Sequence, residues 1–251
     1  TGNIYSPWPE EANRKLVSAV ASFHFAPTEL AKNNLVREGV EMSKIFVTGN
    51  TVVDALLSAR EKIASSDSLR SELAEQFFML SNERKIVLIT GHRGENFGGG
   101  FLEICEAIRD LARQFKDVDF VFPVHLNPQV KAPVYSLLGD IENVILLEPL
   151  EYLPFVYLMN KSEVILTDSG GIQEEAPSIG KPVLVMRNKT ERPEALEAGT
   201  IMLTGAKKAR IVELLTKLLT NKDLYRKMST AHNPYGDGNA SEKIVSLIGA
   251  K

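Results

Sequence analysis

Short, almost wholly apolar runs, each a strand's length and separated by helical patterns, constrain this chain more than any other feature. They fall at Lys85–Thr90, Asp119–Val124, Val144–Leu147, Glu163–Thr167 and Pro182–Val185, with Thr200–Leu203 as a weaker sixth. A strand that is apolar on both sides must be covered on both faces. Alternation with helices therefore predicts a doubly wound, Rossmann-like parallel sheet. The clearest helical patterns between the strands are Phe101–Phe115 and Ala209–Leu219. An earlier stretch repeats the alternation on a smaller scale. Phe23–Pro27 reads as extended, and Thr28–Glu38 as a helix with Thr28 at its N-cap and Gly39 at its stop. Ile45–Thr48 reads as a strand that turns at Gly49 and Asn50 into a helix over Thr51–Lys62. The polar run Ser65–Ser68 reads as a hinge or linker between the two parts.

Composition removes several classes of function. A net charge of −3 gives no broad basic surface for DNA or RNA. The single cysteine, Cys105, lies in an apolar-periodic helix and cannot form an internal disulfide, which fits a reducing cytoplasm. No apolar run reaches the about 20 residues that a membrane-spanning helix needs, and the chain opens on no signal-peptide pattern. It begins at Thr1, which predicts a processed start or a fragment.

Ligands of parallel sheets collect at the carboxyl ends of the strands, and that is where the unusual residues cluster. Ile165–Ala176 runs from a strand through Thr167, Asp168 and Ser169 into Gly170 and Gly171, then into a helix carrying Glu174 and Glu175. Paired glycines let a ligand approach the backbone closely, and the unpaired amides of a helix start favour a phosphate, with the Ser169 hydroxyl as a further donor. Glu175 is placed to reach a ribose hydroxyl. The plainer alternative is a capped helix with Asp168 or Ser169 as cap and the glutamates complementing its dipole. The P-loop lysine and its spacing are absent.

Thr90–Gly98 follows another strand and offers His92 and the Arg93 fork to an anion, or forms a polar loop with a structural histidine. His125 follows a third strand end, and Arg192 follows a fourth, where a lone arginine is otherwise a solvated charge. Glu10 and Glu11 head a Pro-bounded helix that also carries Arg14. His24 reads as structural, and His232 precedes the turn-rich stretch Asn233–Gly238 before the last helix. No metal-ligand spacing of histidines and no Gly-x-Ser-x-Gly nucleophile elbow occurs.

Taken in order, SPWPEEANR (6–14), FVTGNTVVDAL (46–56), TGHRGENFG (90–98), PVHLNP (123–128), TDSGGIQEEAPSIGKPVLVMR (167–187), TERPEALEAGT (190–200) and NPYGDG (233–238) resemble the bacterial non-hydrolysing UDP-N-acetylglucosamine 2-epimerases. The resemblance implies a glycosyltransferase-B-like architecture of two Rossmann-like domains with most of the first missing. It further implies that residues 1–65 are the remnant of that domain with a linker, 66–232 the UDP-binding domain, and 233–251 a helix returning to the first domain. The implied reaction interconverts UDP-N-acetylglucosamine and UDP-N-acetylmannosamine by anti elimination and re-addition of UDP through a 2-acetamidoglucal, with neither metal nor cofactor. The implied partners are UDP, the nucleotide sugar and a second copy of the full-length chain, with no nucleic acid or membrane.

Carried over by motif, Glu10 and His92 are the catalytic residues. Arg14, Ser169, Gly170, Gly171, Glu175 and Arg192 bind substrate, and Arg93 and His125 bind a second, activating UDP-N-acetylglucosamine. Gly94 stands where the family usually has a second arginine, which puts that second site in question. With most of one domain missing, this polypeptide alone is expected to turn over poorly. Three alternatives stay open: a retaining glycosyltransferase of the same architecture, a hydrolysing epimerase, and a nucleotide-sugar-binding module without catalysis.

Overall fold

The computed structural model describes residues 3–5, 8–81, 83–91 and 99–249. They divide into two compact units, one of Thr1–Asp54 with Pro234–Lys251, the other of Ala55–Asn233. Elements run in order α1 (Glu10–Val20), β1 (His24–Ala26), α2 (Glu29–Arg37), β2 (Ile45–Val47), α3 (Thr51–Ser65), α4 (Asp67–Gln76), β3 (Lys85–Thr90), α5 (Gly99–Gln114), β4 (Val118–Pro123) and α6 (Pro128–Leu138). They continue with β5 (Val144–Leu147), α7 (Tyr152–Lys161), β6 (Val164–Thr167), α8 (Gly170–Glu175), β7 (Val183–Val185), α9 (Pro193–Ala198), β8 (Ile201–Leu203), α10 (Lys208–Thr220), α11 (Lys222–Ser229) and α12 (Ala240–Gly249).

In the smaller unit β1 and β2 pair in parallel, with Phe25 opposite Phe46. Thr28 caps α2 by accepting the Ala31 amide at 3.1 Å. Two of the recognised motifs meet in this unit. The backbones of Gly49 and Gly236 approach so closely that a Cβ on Gly49, itself at φ +88°, would stand 3.2 Å from the Gly236 Cα. The Asn50 amide donates to the Tyr235 carbonyl at 2.7 Å. The Asp54 carboxylate accepts the Ala240 and Ser241 amides at 3.2 and 2.7 Å, supplying partners to the otherwise unpaired first turn of α12.

The larger unit holds the expected sheet. Its six parallel strands lie in the order β5-β4-β3-β6-β7-β8. Counting from β3, this is the 3-2-1-4-5-6 order of a dinucleotide-binding fold, with its switch point between β3 and β6. β6 and β7 are buried along their whole length, as apolar runs covered on both faces must be. Cys105 sits in this core on α5, fully buried, its thiol pushed up to about 12 by burial. The polar run at Ser65–Ser68 is a helix junction. Ser66 accepts the Leu69 amide at 3.3 Å as the N-cap of α4, so only one residue separates α3 from α4. The compact units divide further upstream, within α3. Among the described residues no helix is long and apolar enough to cross a membrane.

Candidate functional site

The switch point is built by two threonines. Thr90 and Thr167 end β3 and β6 in register, and their hydroxyls lie 2.6 Å apart. The Ser169 amide donates to the Thr167 hydroxyl at 2.9 Å, and the Asp168 amide to the Thr90 carbonyl at 3.3 Å. These bonds lead the chain out of the sheet. Ser169 is extended (φ −78°, ψ 136°), its side chain makes no capping bond, and α8 begins at the next residue. Gly170 is buried, whereas Gly171 is exposed. Among the described residues, a Cβ on Gly171 would meet nothing nearer than the Ser169 hydroxyl oxygen at 3.9 Å. The described residues do not by themselves demand glycine there, and a glycine lets a ligand approach the first amides of the helix closely.

Helix α8 is otherwise buried, including both of its glutamates. Each has a partner. Glu175 accepts the Tyr152 hydroxyl at 3.2 Å, and Glu174 pairs with the Nε of Arg192. Burial raises the pKa of both carboxyls. For Glu174 the opposing effect is the charge of Arg192, and for Glu175 it is the Tyr152 hydrogen bond. The Tyr152 hydroxyl is pushed up to about 12, first by burial and then by the Glu175 charge. Removing one partner of a buried pair costs about 3–5 kcal/mol. The low end applies to Glu174–Arg192, because the Arg192 side chain is 31% exposed.

Arg192 arrives on a strap that leaves β7. Arg187, 7% exposed, is held by both oxygens of Glu191 at 2.7 and 2.8 Å. The Thr190 hydroxyl donates to Gln173 Oε1 at 2.6 Å and accepts the Arg192 amide at 3.0 Å. Gln173 in turn donates to the Ser169 carbonyl at 3.0 Å. The glycine turn, α8 and the strap are thus one hydrogen-bonded body. Behind it, Asn233 donates to the Glu174 carbonyl at 2.9 Å.

Of the residues singled out in the sequence, Ser169, Gly170, Gly171, Glu175 and Arg192 come together here. His92 and Arg93, with Gly94, lie outside the described residues. His125 follows β4 on the same carboxyl edge, two strands from β6; it is exposed, and its Nδ1 accepts the Asn127 amide at 3.1 Å. Glu10 and Arg14 belong to the smaller unit. There Glu10 is exposed and Glu11 is buried. Arg14 grips Glu11 through Nε and Nη2 at 3.0 and 2.8 Å and reaches Glu38 at 2.7 Å, and these bonds hold its pKa well above the ordinary value. Sequence reasoning gave Glu174 only a dipole-complementing role and passed over Gln173, Thr190 and Tyr152. Only the i,i+3 spacing of Glu11 and Arg14 offered a local signal for a buried pair. Among the described residues no group of three or more His, Cys, Asp or Glu side chains could hold a metal ion.

A family model described as UDP-N-acetylglucosamine 2-epimerase matches residues 1–249. The UDP-N-acetylglucosamine 2-epimerase of Escherichia coli O157:H7 is 58% identical over 248 residues, which cover 99% of this chain and 66% of that protein. This chain therefore spans just under two thirds of that relative's length. The crystal structure of UDP-GlcNAc 2-epimerase from Neisseria meningitidis, bound to UDP-GlcNAc, superposes with a TM-score of 0.94 at 50% identity, covering 100% of this chain and 67% of that one. The S. aureus MnaA co-structure with UDP gives a TM-score of 0.88 at 43% identity, covering 98% of this chain and 65% of that one.

Proposed function

The chain belongs to the UDP-N-acetylglucosamine 2-epimerase family, and from that membership we propose that it carries the UDP-binding part of an enzyme interconverting UDP-N-acetylglucosamine and UDP-N-acetylmannosamine. In this reaction the C2 proton is removed and the C1–O bond to UDP breaks, leaving a 2-acetamidoglucal. UDP then re-adds at C1 while a proton returns to the opposite face of C2. Such a cycle needs a base and an acid at C2 and stabilisation of the departing diphosphate.

In this reading the first amides of α8 at Gly170 and Gly171, the Ser169 hydroxyl and the Arg192 guanidinium receive the diphosphate, and Glu175 takes the ribose. His92 acts near the leaving group, Glu10 is one catalytic carboxylate, and Arg14 is a substrate-binding residue. Arg93 and His125 bind a second, activating nucleotide sugar. The working enzyme is a homodimer in the cytoplasm, the location resting on a single, unpaired cysteine.

One observation supports the reading above the others. An open glycine turn at the switch point and an arginine 18 or more residues later in the chain are fastened to the same short helix. A capped helix alone would need neither the glycine at 171 nor that arginine. Calorimetric titration of the chain with UDP, beside Ser169→Ala and Arg192→Ala, tests it. The parent is expected to bind, and Arg192→Ala to lose about tenfold, or roughly 1.4 kcal/mol. A folded parent that ignores UDP, or variants that bind it like the parent, would sink the reading.

A further inference from the structure

We infer that Glu174 is a positioning residue: it holds the Arg192 guanidinium by Nε so that the outer Nη groups face the diphosphate, and it keeps that hold when ligand binds. This rests on the proposed reading of Arg192 as a diphosphate ligand. A guanidinium carries five N–H donors in a rigid fork. The contact with Glu174 uses the inner donor, Nε. Of the outer groups, Nη1 makes only a long 3.3 Å bond to the Glu191 carbonyl, and Nη2 has no partner among the described residues. A bidentate edge is therefore left for an incoming phosphate.

The environment of Glu174 decides between sharing the arginine and surrendering it. The carboxylate is 7% exposed, feels the charge of Glu194 and follows directly before Glu175 in sequence. If Arg192 swung away to the ligand, this buried carboxylate would lose its guanidinium while still facing the charge of Glu194, a costly change for a buried group. A diphosphate that adds to the existing pair avoids it. Adjacent residues of α8 hold the strap twice, Gln173 through Thr190 and Glu174 through Arg192. The guanidinium is thereby set relative to the same helix whose first amides are read as the phosphate cradle. Preorganisation of this kind removes ordering cost from binding.

The test compares UDP with uridine, which lacks the diphosphate, on the 251-residue chain. Glu174→Met keeps the volume and removes the acceptor; Glu174→Gln keeps an oxygen to accept Nε–H. We expect Glu174→Met to weaken UDP by about tenfold and Glu174→Gln by less than about threefold. Uridine binding should be unchanged in both, and Glu174→Met should add nothing on an Arg192→Ala background. Equal losses for UDP and uridine, additive effects in the double variant, or a silent Glu174→Met beside a weakened Arg192→Ala would each overturn the inference. An Arg192→Ala variant that binds UDP like the parent would instead remove the reading beneath it. The Arg192 Nε–H resonance of the parent supplies a readout independent of any variant's folding. It should stay hydrogen-bonded when UDP is added, and its release would mean that Glu174 lets go.

Discussion

Two adjacent glutamate pairs stand on helices in this molecule, one opening α1 and one closing α8, and they are used differently. In the smaller unit, Glu10 is exposed while Glu11 is buried against Arg14, three residues on in the same helix and gripped along its Nε/Nη2 edge. In the larger unit both Glu174 and Glu175 are buried, and the arginine comes from a strap after the next strand and is gripped by its glutamate at Nε alone. A bidentate grip, reinforced by Glu38, commits most of a guanidinium to the protein. A single-point grip fixes its orientation and leaves donors to spare. The same residue types thus make a local staple in one place and a presented ligand in the other.

The largest expected difference between them is seen on removing each arginine. Arg192→Ala should cost about 3 kcal/mol of stability, because it takes the guanidinium from a buried carboxylate, and about tenfold in UDP affinity. Arg14→Ala should also destabilise, yet weaken UDP by less than about threefold, well short of one tenfold step, so that its proposed part in substrate binding falls on the sugar and not on UDP. Denaturant unfolding and calorimetry on both variants check this. Equal losses of UDP affinity would dissolve the distinction between staple and presented ligand. Next in size is Glu11→Gln, which removes the charge from a buried, charge-assisted pair and should cost about 2 kcal/mol. A Glu11→Gln chain as stable as the parent would show that the i,i+3 grip contributes little.

The contrast also marks where sequence reasoning reaches. Strands β3 to β8 were legible because residues apolar on both sides leave no other placement; observed and expected strands differ by one residue at most at any end. The glycine turn was legible because Gly170 and Gly171 directly follow a strand. The partner of Glu174 was not, since Arg192 lies 18 positions later and only the folding of β7 and its strap brings it to α8. The polar run at Ser65–Ser68 misled for a related reason. Serines that suit a linker also suit a cap, and only the bond from the Leu69 amide to Ser66 distinguishes them.

A smaller effect separates the two buried glutamates of α8. Burial raises the pKa of Glu175, so its contribution to folding is fully present below the ordinary carboxylate range and is lost as pH rises through the folded-state value. Glu175→Gln removes that loss while keeping an oxygen to accept the Tyr152 hydroxyl. The variant should unfold at higher temperature than the parent at about pH 8 and together with it at about pH 4, close to the unperturbed carboxylate value. If Glu175 meets the ribose, the same substitution should weaken UDP, placing a binding residue where it costs stability. A variant gaining stability only at low pH would contradict the burial argument.

The smallest effect is expected at Glu10, and its smallness is informative. Exposed, and not the glutamate that grips Arg14, this carboxylate has little structural reason to be there beyond complementing the start of α1. Glu10→Gln should change stability by no more than about 0.5 kcal/mol, the usual range for a surface position. It should also leave UDP affinity where it was. A carboxylate whose loss touches neither folding nor nucleotide binding is free to serve the sugar chemistry proposed for it. If instead Glu10→Gln destabilised the chain as much as Glu11→Gln, the two residues would share one structural job and the catalytic assignment at this helix would lose its footing.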